Sequence, residues 1–202
     1  MSIKGERITI KPIKLKDAYS MTNWGKHKNP LLFDYNLPPL TKKEIKEWYK
    51  FKTGESSKKY YSIFNEHDRF IGYMGIKNIR RILRQATFGI VLDPNYVNQG
   101  YGTETIMTYL NYFFNQKNMR ILYLEVAKFN KRAIRCYEKS GFKVIDMYLE
   151  KFFDQTLDLN NPYFLKEKSS FVIENRKIYN YIYKMKIDKK TYLKKEKYES
   201  II

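Results

Sequence analysis

The sequence predicts one α/β domain (α+β in schemes that weigh its antiparallel half), on three grounds. Seven β-rich runs are spread along its 202 residues. The middle of the chain reads strand, glycine loop, helix, strand, helix, strand, an order that lays two strands parallel. No internal repeat or low-complexity linker divides the chain, and its length suits a single core.

Taken in order, residues 7–13 alternate apolar and polar side chains as a strand does. Residues 15–24 read as a helix with Asp17 in its first turn. Residues 29–40 carry Pro30, Pro38 and Pro39 and read as a loop. Thr41 opens T-K-K-E, a capping box whose Glu44 sits three residues on, starting a helix to residue 51. Residues 60–65 and 70–76 flank a short polar gap and read as a hairpin. A third run, 86–92, stops at Asp93-Pro94, because Pro94 has no N–H for a ladder. After the loop Asn98-Gln99-Gly100-Tyr101-Gly102, the apolar positions Ile106, Met107, Leu110, Phe113 and Phe114 keep helical spacing. Residues 121–126 are almost all apolar, as expected of a strand buried on both faces, and should run parallel to 87–92. A short helix from Asn130 to Ser140 ends at Gly141, which suits the position after a helix. Strands 142–147 and 179–187 complete a domain of residues 1–187, with 152–177 as a long insertion and 188–202 as a basic tail.

The hydrophobic fraction of 43% suits a folded globule. No apolar run approaches the roughly 20 residues of a bilayer span, and the start, MSIKGERITIKPI, lacks the apolar stretch of a secretory signal. Cys136 is the only cysteine, so no disulfide closes within this chain. With His27 and His67 far apart, no His/Cys metal cage is expected. The cytoplasm is the expected compartment, without a membrane partner. A net charge of +18 invites a nucleic-acid reading. The basic residues are scattered, however, apart from Lys189, Lys190, Lys194, Lys195 and Lys197. Abundant Lys, Asn, Ile and Tyr is also what an AT-rich coding sequence yields. Nucleic-acid binding is therefore the lesser reading.

Gly100 and Gly102 lie where a strand gives way to a helix. A helix start offers unpaired N–H groups and the positive end of a dipole, and glycine lets the backbone approach a pyrophosphate closely. Alone, G-x-G is equally the mark of an ordinary loop-to-helix turn. It is neither the G-x-G-x-x-G of a dinucleotide fold nor a P-loop. Downstream lies a second block, Asn130-Lys-Arg-Ala133-Ile-Arg-Cys-Tyr137-Glu-Lys-Ser-Gly141-Phe142. Together with Leu92-Asp93-Pro94 and Gly100-Tyr101-Gly102-Thr103-Glu104, it resembles the GNAT superfamily of N-acetyltransferases, nearest in flavour to the ribosomal-protein and aminoglycoside branches. The motifs that carry the resemblance lie within residues 87–142.

That resemblance implies a central mixed, twisted sheet with helices on both faces, in which two parallel strands splay around the coenzyme. It implies acetyl-CoA as co-substrate, an amine acceptor and no metal; the chain is expected as a monomer or homodimer. The pantetheine arm would pair with the backbone of Ile90, Val91 and Leu92. The family signature Q/R-x-x-G-x-G/A falls on Val97, Asn98, Gln99, Gly100, Tyr101 and Gly102, whose amides, with that of Thr103, would cradle the pyrophosphate. Val97 departs from the Gln or Arg of the signature, which implies weaker anchoring. Asn130 matches a pantetheine contact and is equally a good N-cap. Arg135, with Lys131, is either a cation for coenzyme phosphates or a solvated helix residue.

Acyl transfer from a thioester to an amine needs a base for the amine, a donor for the oxyanion and a proton for the departing thiolate. Tyr137 matches the family tyrosine beside the thioester sulfur, a proton donor; the bland alternative is a core tyrosine. A backbone N–H near Val91 or Leu92 would polarise the carbonyl. Glu125 matches a glutamate proposed as base in the ribosomal-protein branch. It is expected to be buried, with a raised pKa, or else to be a partnered structural carboxylate. Another family carboxylate falls at Thr87 and is missing, while Glu104 suits the helix dipole. Water-relayed deprotonation stays open. Cys136 lacks a histidine partner and reads as a small core residue. The acceptor side would be shaped by the N-terminal helices, residues 29–40 and residues 152–177, with Trp24, Phe33, Tyr35 and Trp48 as candidate lining. No acidic cluster stands out there, which favours a protein N-terminus or a small amine over a polycationic antibiotic. The competing readings are a coenzyme-binding sensor that has lost turnover and a basic nucleic-acid-binding protein.

Overall fold

The alternation that begins the chain becomes two short strands, β1 (Ile3–Lys4) and β2 (Thr9–Pro12), in the computed structural model, which describes residues 2–199. Helix α1 (Leu15–Ser20) follows and continues as a 3₁₀ turn, Met21–Asn23. Its buried Asp17 accepts from the Lys14 backbone N–H at 2.9 Å and from the Ser62 hydroxyl at 2.7 Å. The proline-bearing loop contains a second 3₁₀ turn, Pro30–Tyr35, capped by Asn29. Thr41 and Glu44 form the expected reciprocal cap at the start of α2 (Lys42–Thr53).

The hairpin of β3 (Lys59–Phe64) and β4 (Phe70–Arg80) leads antiparallel into β5 (Gln85–Leu92). Helix α3 (Tyr101–Asn111) ends in a π-helical turn, Tyr112–Gln116, before β6 (Ile121–Ala127), α4 (Lys131–Lys139) and β7 (Lys143–Lys151). The long insertion holds α5 (Pro162–Lys166) and β8 (Phe171–Glu174), then β9 (Lys177–Asp188) closes the sheet. It is not a loose loop. Phe152, Leu157, Phe164, Phe171 and Ile178 close on Leu31 in a small core of their own.

The sheet runs β1-β2-β3-β4-β5-β6-β9-β7, with β8 also on β9. The seven strands read from the sequence are all present. β1 and β8, of two and four residues, are too short to show an alternation and bring the sheet to nine. Side chains alternate between faces along a strand, and β4 shows the consequence. Met74 and Ile76 enter the main core beside Leu110, Phe113 and Ile134 of the α3 and α4 layer. Tyr73 packs on the other face, against Trp24 and Trp48 at ring distances of 6.1 and 5.4 Å. Helices therefore cover both faces.

Two readings change. Strand β6 is not buried on both faces: Leu122, Leu124 and Val126 are buried, but Glu125 between them is exposed. Residues 189–199 are not a solvated tail but a helix, α6 (Lys189–Glu199). Its Tyr192 is 2% exposed and stacks on Phe114 at 5.2 Å. One buried aromatic among many lysines leaves little periodicity to read. Tyr192→Ala is expected to cost about 3 kcal/mol of stability, the usual scale for emptying an aromatic site. Urea unfolding checks this, and a loss below about 0.5 kcal/mol, the surface range, would return α6 to the status of a tail. No helix among the described residues is long and apolar enough to cross a membrane.

Candidate active site

Strands β5 and β6 pair only at Gln85↔Ile121, Ala86↔Leu122 and Thr87↔Tyr123. Beyond that, β5 follows β4 as far as Leu92 and β6 follows β9 as far as Ala127. The two parallel strands thus part, and their facing edges lose each other as partners. A cleft of about 470 Å³ opens at the split, within the usual range for small-molecule sites. Every site residue expected from the sequence lines it except Gln99 and Tyr101. The Gln99 amide instead donates to the Asn95 carbonyl at 2.9 Å. The buried Tyr101 donates its hydroxyl to Glu66 at 3.0 Å, with the Arg7 guanidinium 4.8 Å from its ring centroid. These two can serve the cleft through their backbone alone.

The glycine loop is held in shape from outside. Gly100 is the N-cap of α3 with φ +87°, a left-handed conformation that a side chain strains. A Cβ there would also meet Arg7 Nη2 at 3.0 Å. Glu104 accepts from the Arg7 backbone N–H at 2.6 Å, from Arg7 Nε at 3.0 Å and from the Ile8 N–H at 3.2 Å. This carboxylate clamps the start of α3 to the first strands. A Cβ on Gly102 would lie 3.4 Å from Leu92 and 3.6 Å from Cys136 Sγ, so α3, β5 and α4 converge at that residue.

Helix α4 forms the opposite wall. The Asn130 side chain accepts from the Ala133 N–H at 3.2 Å as its N-cap, worth about 1 kcal/mol. Asn130 lines the cleft as well, so capping the helix leaves the residue in the cleft wall. Cys136 Sγ lies 3.2 Å from Thr103 Oγ1, and burial pushes its thiol up, against the needs of a thiolate nucleophile. Tyr137 is 6% exposed, packed edge-on against Phe142 at 6.0 Å. Burial first, then the neighbouring Tyr35 and Cys136, hold its hydroxyl well above the usual tyrosine range. Among the described residues that hydroxyl has no hydrogen-bond partner, and it belongs to the cleft wall. Its proton is held tightly, and among the described residues no acceptor takes it.

Glu125 corrects the sequence reading. It lines the cleft, but it is exposed: β5 leaves β6 after Tyr123, and among the described residues no other strand pairs with β6 along that edge. Tyr148 stands beside it, its hydroxyl pushed up to about 12 by burial and then by the Glu125 charge. Of the four candidate aromatics, only Tyr35 lines the cleft. Trp24 and Trp48 pack on Tyr73 in the core and Phe33 is exposed. Sequence reasoning missed His27, Lys52, Tyr60, Tyr73, Lys77, Gly89 and Arg132, all of which line the cleft. Arg132 sits three residues before the expected Arg135 and stands close enough to His27 to lower its pKa, after burial. That proximity had no signal in the sequence, because His27 is carried in by a distant loop.

Comparison with known proteins agrees with this geometry. Residues 7–143 match the family model described as an acetyltransferase (GNAT) domain. The spermidine N(1)-acetyltransferase of Vibrio cholerae is 24% identical over 164 residues, covering 80% of this chain and 95% of that protein. The spermidine N(1)-acetyltransferase of Escherichia coli K12 is 23% identical over 146 residues, covering 72% of this chain and 78% of that one. The crystal structure of the Vibrio cholerae spermidine N-acetyltransferase in complex with CoA and spermine shares the fold, with a TM-score of 0.68 at 22% identity over 93% of this chain and 98% of that one. A dodecameric structure of the Vibrio cholerae enzyme, with a TM-score of 0.64 at 22% identity over 93% of this chain and 96% of that one, is a larger assembly than the monomer or homodimer expected here. With its model matched over more than half of the residues, the chain belongs to the GNAT acetyltransferase family and is an N-acetyltransferase.

Proposed function

We propose that this chain transfers an acetyl group from acetyl-CoA to a small primary amine or protein N-terminus by direct attack within a ternary complex. The observation that carries the reading is the parting of β5 from β6 beside the glycine N-cap of α3, with Tyr137 in the same cleft. The residues fit the coenzyme. Gly100 supplies a conformation and Gly102 a closeness of approach that suit a phosphate cradle at the amides of residues 98–103. The edge of β5 at Ile90, Val91 and Leu92 offers backbone groups for a pantetheine arm, and Asn130 and Arg135 stand across from it. Val97 supplies no polar side chain, so the cradle rests on backbone alone.

In this reading a backbone N–H near Val91 or Leu92 polarises the acetyl carbonyl. Glu125, directly or through water, takes a proton from the acceptor ammonium so that its nitrogen can attack. The new C–N bond forms as the C–S bond breaks, Tyr137 gives its proton to the departing sulfur, and the nitrogen sheds its second proton to solvent. Free-thiol release from acetyl-CoA across a panel of amines tests the function, together with thermal stabilisation by acetyl-CoA. Stabilisation with amine-dependent thiol release is expected. Stabilisation without release would make the chain a coenzyme sensor, and the absence of both would end the reading.

The buried Tyr137 hydroxyl gives a pH signature. Its proton affinity is raised, so the donor form persists upward through the range where an ordinary tyrosine ionises, about pH 10. The kcat profile is expected to rise with deprotonation of the amine and then stay level to about pH 10. A falling limb below that pH, lost in Tyr137→Phe, would contradict it.

A further inference from the structure

The face of the sheet that carries Tyr73 is laid out for something other than the coenzyme. Directly opposed residues of paired strands share a face, and the register places Tyr60 beside Gly75, Gly75 beside Gly89, and Lys77 beside Thr87. Glu125 points the same way, since Leu122, Leu124 and Val126 of β6 turn into the opposite core. A Cβ at Gly89 would meet nothing within 4 Å. The result is bare backbone at Gly89, with the Tyr60 ring lying over Gly75 and Tyr73 beside it, and a carboxylate on the β6 side. On the β4 side stand two cations, Lys52 and Lys77.

These lysines are unpaired. Among the described residues neither has a carboxylate partner, whereas neighbouring Lys58 is bonded to Glu55 at 2.6 Å. The Lys52 ammonium is folded over aromatic rings, 5.3 Å from Tyr60 and 5.5 Å from Trp48. Burial, and then the charges of Lys77 and Lys58, lower its proton affinity. An anion between Lys52 and Lys77 would relieve that crowding. Other acids near this face are engaged or outside the lining: Asp34 lies near the Tyr35 and Tyr73 hydroxyls, and Asp146 is opposite Lys184 in the β7–β9 ladder. The coenzyme phosphates do not account for the pair either. Leu92 lies five residue steps along an extended strand from Thr87, opposite Lys77, a span of about 16 Å before the phosphate loop begins.

We infer, resting on the transferase reading above, that the acceptor is a primary amine carrying its own anion, a carboxylate or a phosphate. Its anion sits between Lys52 and Lys77 and its amine near Glu125. The cleft then differs in kind from one built for a polyamine: away from the wall assigned to the coenzyme, its lining holds Lys52 and Lys77 against the single carboxylate of Glu125. A polyamine would bring further positive charge to that surface, and like charges without solvent between them repel.

The test is a charge series on the full chain, read as acetyl-CoA-dependent thiol release. Butylamine, 4-aminobutanoate and 1,4-diaminobutane hold the carbon chain constant while the far end changes from neutral to anionic to cationic. Glucosamine 6-phosphate against glucosamine distinguishes phosphate from carboxylate, and spermidine is run beside them. The anionic member of a pair is expected to exceed the neutral one in kcat/KM by about ten-fold, with the cationic one lowest. In Lys77→Glu and Lys52→Glu that order should invert while the acetyl-CoA Kd, measured separately, stays within about three-fold. Preference for spermidine or diaminobutane, an unchanged order in both variants, or no turnover of any anionic amine by protein that binds acetyl-CoA would each overturn the inference. Failure to bind acetyl-CoA at all would overturn the transferase reading with it.

Discussion

Replacing Tyr137 with phenylalanine is expected to lower kcat by about 100-fold and to leave the KM for acetyl-CoA within about three-fold, the pattern of a group used in the transition state and little before it. The substitution removes one oxygen. The ring keeps its buried place against Phe142, and no internal hydrogen bond is lost, because among the described residues the hydroxyl has none. Stability should therefore change little, and a fall in turnover reports on proton transfer. Steady-state kinetics with saturating amine decide it. An unchanged kcat would end the proton-donor role. A raised KM with kcat intact would make the hydroxyl a binding contact.

Gly89→Val is expected to leave the melting temperature unchanged or slightly raised and to abolish most acceptor turnover, by about 100-fold or more. Glycine inside a strand costs conformational entropy and packs nothing, and valine suits an extended backbone. The space beyond Gly89 is open because the cleft lies there. A side chain at this position fills the slot, not the core. Gly75 supplies the contrast. A Cβ there would come within 2.5 Å of the Tyr60 ring, so Gly75→Ala must shift a packed aromatic and should lose stability. Normal turnover by a folded Gly89→Val protein would mean that the acceptor does not pass over this strip.

The part of the cleft that we assign to the coenzyme was legible in the sequence because its residues lie in two continuous stretches. Gly100 and Gly102 sit at one helix start, and Asn130 and Tyr137 lie on one short helix. Local spacing is enough to read such features. The part that we assign to the acceptor is assembled from His27, Tyr35, Lys52, Tyr60, Lys77 and Gly89, which are brought together by the pairing of β3, β4 and β5 and by the elements packed over them. A strand register cannot be read from one strand. Glu125 shows the same limit from the other side. Its apolar neighbours mark a buried strand, and burial would follow if β5 stayed alongside, but β5 departs after Thr87. The split that makes the cleft also uncovers the carboxylate.

A crystal structure with CoA bound is the most direct test that the parted strands hold the coenzyme. The pyrophosphate should lie within about 3 Å of backbone N–H groups among residues 98–103, the pantetheine arm along Ile90 to Leu92, and the sulfur within hydrogen-bond reach of the Tyr137 hydroxyl. CoA bound outside the gap between β5 and β6, or with its sulfur out of reach of Tyr137, would contradict it.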